Sequence, residues 1–175
     1  MSFSLDQFIA DARRAAAAIN ALEETDRLMA RTFADPDAIK AGVPAMEDDE
    51  VNLFEDGSIS IWHERFLPTE ELPPHDHQLP AIIGVYNGRE RNRLYRQSNN
   101  RLVPGGQLIL QAGQTHVFGP NDVHTVQALG DAPSLGLHIY LGPLTQVERS
   151  LFDWQSGAQT PMSETAFLAM KRPAS

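Results

Sequence analysis

The chain has no cysteine among its 175 residues. Disulfides, thiolate metal ligands, a cysteine nucleophile and a covalent cysteine–tyrosine link are therefore excluded, and the absence agrees with a reducing compartment. Positive charge is scarce, with 14 Lys and Arg against 23 Asp and Glu, for a net charge of −9. Such a surface repels phosphate, so no nucleic-acid partner is expected, and a soluble, cytoplasmic protein is. No apolar run approaches the ~18 residues of a membrane helix, so no membrane partner is expected. The start, Met1 to Gln7, lacks a basic leader followed by an apolar run and predicts no signal peptide.

The remainder is ordinary globular material, 42% apolar and 21% charged. Its length fits one domain with a sizeable core. Residues 4–34 carry helical periodicity, with Ser4 and Gln7 as a capping pair and Phe8, Ile9, Ala12, Ala16, Ile19 and Leu22 on one apolar face. Asp35-Pro36 opens a second, short helix to about Lys40, and Gly42 and Pro44 end it. These elements predict an N-terminal helical segment, 1–45, packed on a β-barrel formed by 46–175.

Within the β-rich part, Glu47-Asp48-Asp49-Glu50 reads as a solvated loop, since four consecutive carboxylates cannot all face one ion. From Asn52 onward the period becomes two, with turn signals at Asp56-Gly57, Asn87-Gly88, Pro104-Gly105-Gly106, Gly119 to Asp122 and Gly130-Asp131. Short strands are expected near 58–67, 80–86, 91–97, 107–111, 115–118, 123–128 and 135–141. Many short strands with even turn spacing predict an all-β sandwich or barrel. After Tyr140 a loop and terminal segment are expected, anchored by Phe152 and Trp154.

All six histidines, His63, His75, His77, His116, His124 and His138, fall in this part. His75 and His77 are two apart, preceded by Pro73-Pro74 and followed by an apolar run that ends at Asn87-Gly88. The prolines disfavour helix, and on a strand residues i and i+2 share a face, so the two imidazoles converge as a chelate. Asn87-Gly88 reads as a two-residue hairpin turn. A third ligand is expected from a neighbouring strand end, and His124, just after the Gly119–Asp122 turn, is the candidate.

His75-Asp76-His77, Gly88 eleven residues on, and Pro120-Asn121-Asp122-Val123-His124 together resemble the two cupin motifs. Leu137-His138-Ile139-Tyr140, and Phe152-Asp153 with Gly157, make the resemblance closest to the thiol dioxygenases, the cysteine and 3-mercaptopropionate dioxygenase group. It covers about residues 50–160. It implies a cupin double-stranded β-helix, or jelly-roll barrel, preceded by helices. It further implies Fe(II) held by His75, His77 and His124, with Ni, Zn or Mn as other divalent metals that could be loaded. Ala81 stands where the usual cupin glutamate ligand falls, which implies a three-histidine site with open positions. Tyr140 is implied as hydrogen-bond and proton donor, and His138 as the residue that orients it.

Two positions depart from that family. Gly136 replaces a serine, and Glu50 and Val51 stand near where the family has a carboxylate-gripping arginine. Arg65, or one of Arg89, Arg91 and Arg93 in the run that continues to Arg96 and Arg101, is a candidate replacement; the alternative is a solvated hairpin or subunit contact. His63 and His116 are expected to be structural. The expected activity is oxidation of a small thiol to a sulfinate with dioxygen, by a monomer or homodimer. Two alternatives share the barrel: a cupin metalloenzyme acting on an oxygen-donor substrate (a diketone-cleaving dioxygenase or an isomerase), and a non-catalytic metal- or small-molecule-binding cupin.

Overall fold

The computed structural model describes residues 2–98 and 101–174. Its helical segment is built as three helices, α1 (Leu5–Ala16), α2 (Ala21–Phe33) and α3 (Pro36–Gly42). Ser4 caps α1 by accepting from the Gln7 amide, and Asp35 caps α3 by accepting from the Ala38 amide with Pro36 in the first turn. The continuous helix expected over 4–34 is broken at 17–20. Asn20, a poor helix-interior residue, stands just before α2, and its Nδ2 donates to Glu23 and Glu24 at 3.0 and 3.3 Å. Ile19 lies in the break and is fully exposed rather than on the apolar face, and Leu22 is also exposed.

The strands are β1 (Glu50–Glu55), β2 (Ser60–Phe66), β3 (Glu70–Glu71), β4 (Ala81–Asn87), β5 (Arg89–Ser98) and β6 (Arg101–Gln111). They continue as β7 (Gln114–Phe118), β8 (Val123–Ala128), β9 (Ser134–Tyr140), β10 (Ser150–Phe152) and β11 (Gln159–Pro161). Helix α4 (Glu164–Met170) and the short β12 (Arg172–Pro173) complete the chain. One sheet has the order β1-β2-β9-β4-β7 and another β6-β5-β8, with antiparallel pairing throughout both. From β6 to β9 successive strands alternate between these two sheets in the manner of a jelly roll, and the architecture is a double-stranded β-helix with N-terminal helices.

Strand parity divides the core. Ile61 of β2, Ile82 and Tyr86 of β4, and Leu137 and Ile139 of β9 face the helices and pack with Phe8, Met29, Phe33 and Ile39. The alternate residues Ala81, Ile83, Val85 and Tyr140 face the barrel interior with Phe118 and Leu144. Phe33 is fully buried over Gly84, where a Cβ would stand 2.4 Å from its ring, so the helices seat on the sheet only because that position is bare.

Two turn expectations are corrected. Asn87-Gly88 is not a hairpin: β4 pairs with β7 and β9, β5 pairs with β6 and β8, and the dipeptide is the corner where the chain changes sheets. Only Gly88 has positive φ, at 76°, and a Cβ there would meet the Pro133 carbonyl oxygen at 2.5 Å. Pro104-Gly105-Gly106 is not a turn either; β6 runs through it with a register shift opposite Leu94 and Tyr95. Strand β1 begins at Glu50, inside the acidic run, and was not separable from loop on composition.

Candidate metal centre

Pro73 and Pro74 hold the segment before β4 extended, and His75 is tied to β8 by a reciprocal backbone bridge with His124, N to O 3.0 Å each way. His77 follows in loop rather than strand. Gln78, at φ 55°, then turns the chain into β4. The three rings nevertheless converge. One nitrogen from each of His75, His77 and His124 lies within 4.8 Å of the others, and all three side chains are buried. Their ring centroids are 5.2, 4.5 and 5.0 Å apart, and Phe118 stacks on His124 at 4.3 Å.

The outward nitrogens fix the tautomers. His75 Nδ1 meets the Pro73 carbonyl at 2.9 Å, and His124 Nδ1 meets Asn92 Oδ1 at 2.8 Å; each nitrogen must donate to an oxygen that can only accept. Asn92 is itself oriented by donating to Glu90 Oε1 at 3.0 Å, while Ser134 donates to Glu90 Oε2 at 3.1 Å. The Nε2 atoms of His75 and His124 are thereby left as bare lone pairs, and His124 Nε2 faces His77 Nε2 at 3.3 Å. Burial lowers the His75 imidazole to about 4, and burial together with the neighbouring imidazoles holds His77 and His124 well below the usual range. Three neutral imidazoles with lone pairs aimed at one point fit a divalent transition metal. Ala81 is fully buried on the barrel-interior side in register with Tyr140, so it offers no carboxylate.

The triad opens on a cavity of about 650 Å³ that Tyr140 and His138 also line. Tyr140 Oη stands 3.5 Å from His138 Nδ1, and the Tyr140 ring lies 5.1 Å from that of His77. Burial first, and then the Glu64 carboxyl, hold the Tyr140 phenol well above its ordinary range, so it carries its proton at neutral pH. His138 is lowered to about 3 by burial, and its Nε2 has no partner among the described residues. Gly136 accounts for that: a Cβ there would stand 3.2 Å from this nitrogen, and glycine brings no hydroxyl to it. Burial likewise lowers His63 to about 4, and its Nε2 contacts Tyr86 Oη at 2.6 Å on the helix-facing side; His116 packs on Phe118; neither lines the cavity.

None of the arginines singled out in the sequence lines the cavity. Arg65 pairs with Asp49 at 2.6 Å, Arg93 with Glu71 at 3.4 Å, and Arg91 donates to Gln127. The guanidinium that reaches the cavity is Arg149, and the buried carboxyl that reaches it is Glu64. Glu64 was legible in principle, because it alternates with Ile61 and His63 on β2. Arg149 was not: it lies in irregular chain brought in by the bridge of Leu151 to His75. The C-terminal segment lines one side of the cavity through Met162, Phe167 and Lys171, and it is held by Arg172 and Thr125 on Glu71 at 2.8 Å each, Lys171 on Glu70 at 2.7 Å, and Arg172 over the Trp154 ring at 3.6 Å. No helix among the described residues is long and apolar enough to cross a membrane.

No protein-family model matches the chain. Among solved structures, it is similar to an uncharacterized conserved protein with a double-stranded β-helix domain from Klebsiella pneumoniae subsp. pneumoniae MGH 78578, with 16% identity, a TM-score of 0.49, and 65% of this chain and 87% of that one covered. Hydroquinone 1,2-dioxygenase from Sphingomonas sp. TTNP3 is similar at 12% identity and TM-score 0.46, covering 57% and 68%. DMSP lyase DddQ from Ruegeria pomeroyi DSS-3 is similar at 16% identity and TM-score 0.45, covering 55% and 44%. Likeness at this level carries nothing about chemistry.

Proposed function

We propose that the protein is a non-haem Fe(II)-dependent dioxygenase of thiol-dioxygenase type, in which His75, His77 and His124 hold the metal and a small thiol is oxidised to a sulfinate. The observation that carries this reading is the donor set: three buried neutral imidazoles, two with outward nitrogens already tied down, and an alanine at Ala81. Neutral ligands leave a divalent charge undiminished, which favours an anionic substrate group such as a thiolate. When bound, the metal supplies open coordination positions and the electrons that dioxygen chemistry needs.

The protein's own residues have separable tasks. Phe118 and Tyr140 wall the triad from the core. Tyr140 holds a proton at Oη beside His77, where it can donate to substrate or dioxygen in the cavity, and His138 restrains the direction of that hydroxyl.

The test is anaerobic reconstitution with Fe(II), followed by metal analysis and oxygen consumption with a panel of small thiols and diketones. Oxygen uptake with thiols alone, matched by sulfinate formation, supports the reading. Uptake with diketones alone replaces it by an oxygen-donor cupin enzyme, and metal binding with no turnover replaces it by a binding protein.

A further inference from the structure

Strand β2 presents Trp62, Glu64 and Phe66 to the cavity, while Ile61 before them and His63 among them face the helices. Glu64 is only 6% exposed and has no hydrogen-bond or ion-pair partner among the described residues. Its register partners explain why. On one side stands Glu50 of β1, which repels it, and on the other Gly136 of β9, which has no side chain to offer. Burial, then Glu50, push the Glu64 carboxyl well above its ordinary range, with Arg149 opposing them, so it sits in the wall as a group whose charged form is only partly compensated.

The surroundings indicate which ligand group supplies it. Asp48, Asp49, Glu50 and Glu164 line the same cavity as Arg149 and Lys171. Asp49 is paired with Arg65, and Lys171 with Glu70, so the remaining wall charge is negative despite Arg149. Trp62 and Phe66 flank Glu64 in the lining of the same cavity, and aromatic neighbours favour a cation over an anion. A carboxylate ligand would meet net repulsion here. A primary ammonium finds an acceptor, opposite charge and aromatic faces together.

We propose that the Trp62–Glu64–Phe66 wall is a subsite for a small primary ammonium group, with the Glu64 carboxylate accepting its N–H donors, and that it makes the cavity select amines over carboxylates. This rests on the preceding function only for the ligand's reacting end, which faces the histidines; binding of the amine requires no metal and no turnover.

The experiment is an NMR titration of the full chain in EDTA, which keeps amine nitrogens from any metal, with n-propylamine, n-propanol and propionate in turn. Wild type should bind propylamine at least ~10-fold tighter than propanol, the discrimination one charge-assisted contact supplies, and propionate weakest. Glu64→Gln should lose that ~10-fold preference and leave propanol binding unchanged. Because Glu64 makes no internal bond, this variant should keep its fold; should it not, Glu64→Asp retracts the charge by one methylene and should weaken propylamine selectively. Equal binding of amine and alcohol, tightest binding of propionate, or undiminished amine binding in the variants overturns the proposal. Zn(II) uptake, measured separately on the same protein, reports on the histidine site alone, so failure of either reading is distinguishable from failure of the other.

Discussion

His75 and His124 exchange two backbone hydrogen bonds, each 3.0 Å, across the gap between the extended segment before β4 and strand β8. That bridge sets two imidazoles from residues 49 positions apart at a ring separation of 4.5 Å. His77 then needs only the remaining reach of one loop. The site's geometry is thus a consequence of backbone pairing, which makes it rigid before any ligand arrives.

Each ligand should be separately necessary. His75→Ala, His77→Ala and His124→Ala should each abolish most metal occupancy in elemental analysis after dialysis, because two imidazoles form a weak chelate. Asn92→Ala should fall between these and wild type, roughly 10–100-fold weaker in metal affinity, since it removes the acceptor that fixes the His124 tautomer. Full occupancy in His124→Ala would remove that residue from the site.

Ala81→Glu restores a carboxylate on the barrel-interior face of β4. It should tighten metal binding and suppress turnover by filling a coordination position that substrate or dioxygen needs. Unchanged turnover, with the carboxylate shown on the metal, contradicts the open-site reading.

Tyr140→Phe keeps the buried ring and deletes the hydroxyl. Metal content and Tm should change little, and kcat should fall by roughly 10²–10³-fold, the usual cost of one positioned donor. A loss of about 1 kcal/mol in stability with kcat intact would instead make the hydroxyl structural.

Glu90 gives a pH test of the shell behind His124. Burial raises its carboxyl from the ordinary 4.5 to about 7, with the hydrogen bonds from Asn92 and Ser134 acting in the opposite direction. The folded state therefore prefers the neutral acid. Stability is undiminished below pH 4.5 and is lost as pH rises from there through about 7, by about 3 kcal/mol in all. Glu90→Gln removes the ionisation, so its Tm relative to wild type should be several degrees more favourable at pH 8 than at pH 4.5. An equal difference at the two pH values contradicts this assignment.

Much of the barrel was legible because its strands alternate: Ile61, Ile82 and Ile139 on one face and His138 and Tyr140 on the other follow from period two alone. The histidine triad was legible as well, since His75 and His77 converge even though His77 lies in loop and Gln78 turns the chain before Ala81. What local pattern could not carry was sheet membership. Asn87-Gly88 looks like a hairpin in sequence, and only the pairing of β4 with β9 and of β5 with β8 makes it a corner. Arg149 escaped for the same reason, because nothing near it in sequence marks the bridge at Leu151 that brings it to the cavity.

The central claim is that three histidines hold one divalent metal, and anomalous scattering from crystals loaded anaerobically with Fe(II) or Co(II) tests it most directly. One strong peak is expected, ~2.0–2.2 Å from a nitrogen of each of His75, His77 and His124, with no carboxylate ligand from the chain. No peak at the triad, or a peak held instead by cavity carboxylates such as Asp48 and Glu50, would contradict it.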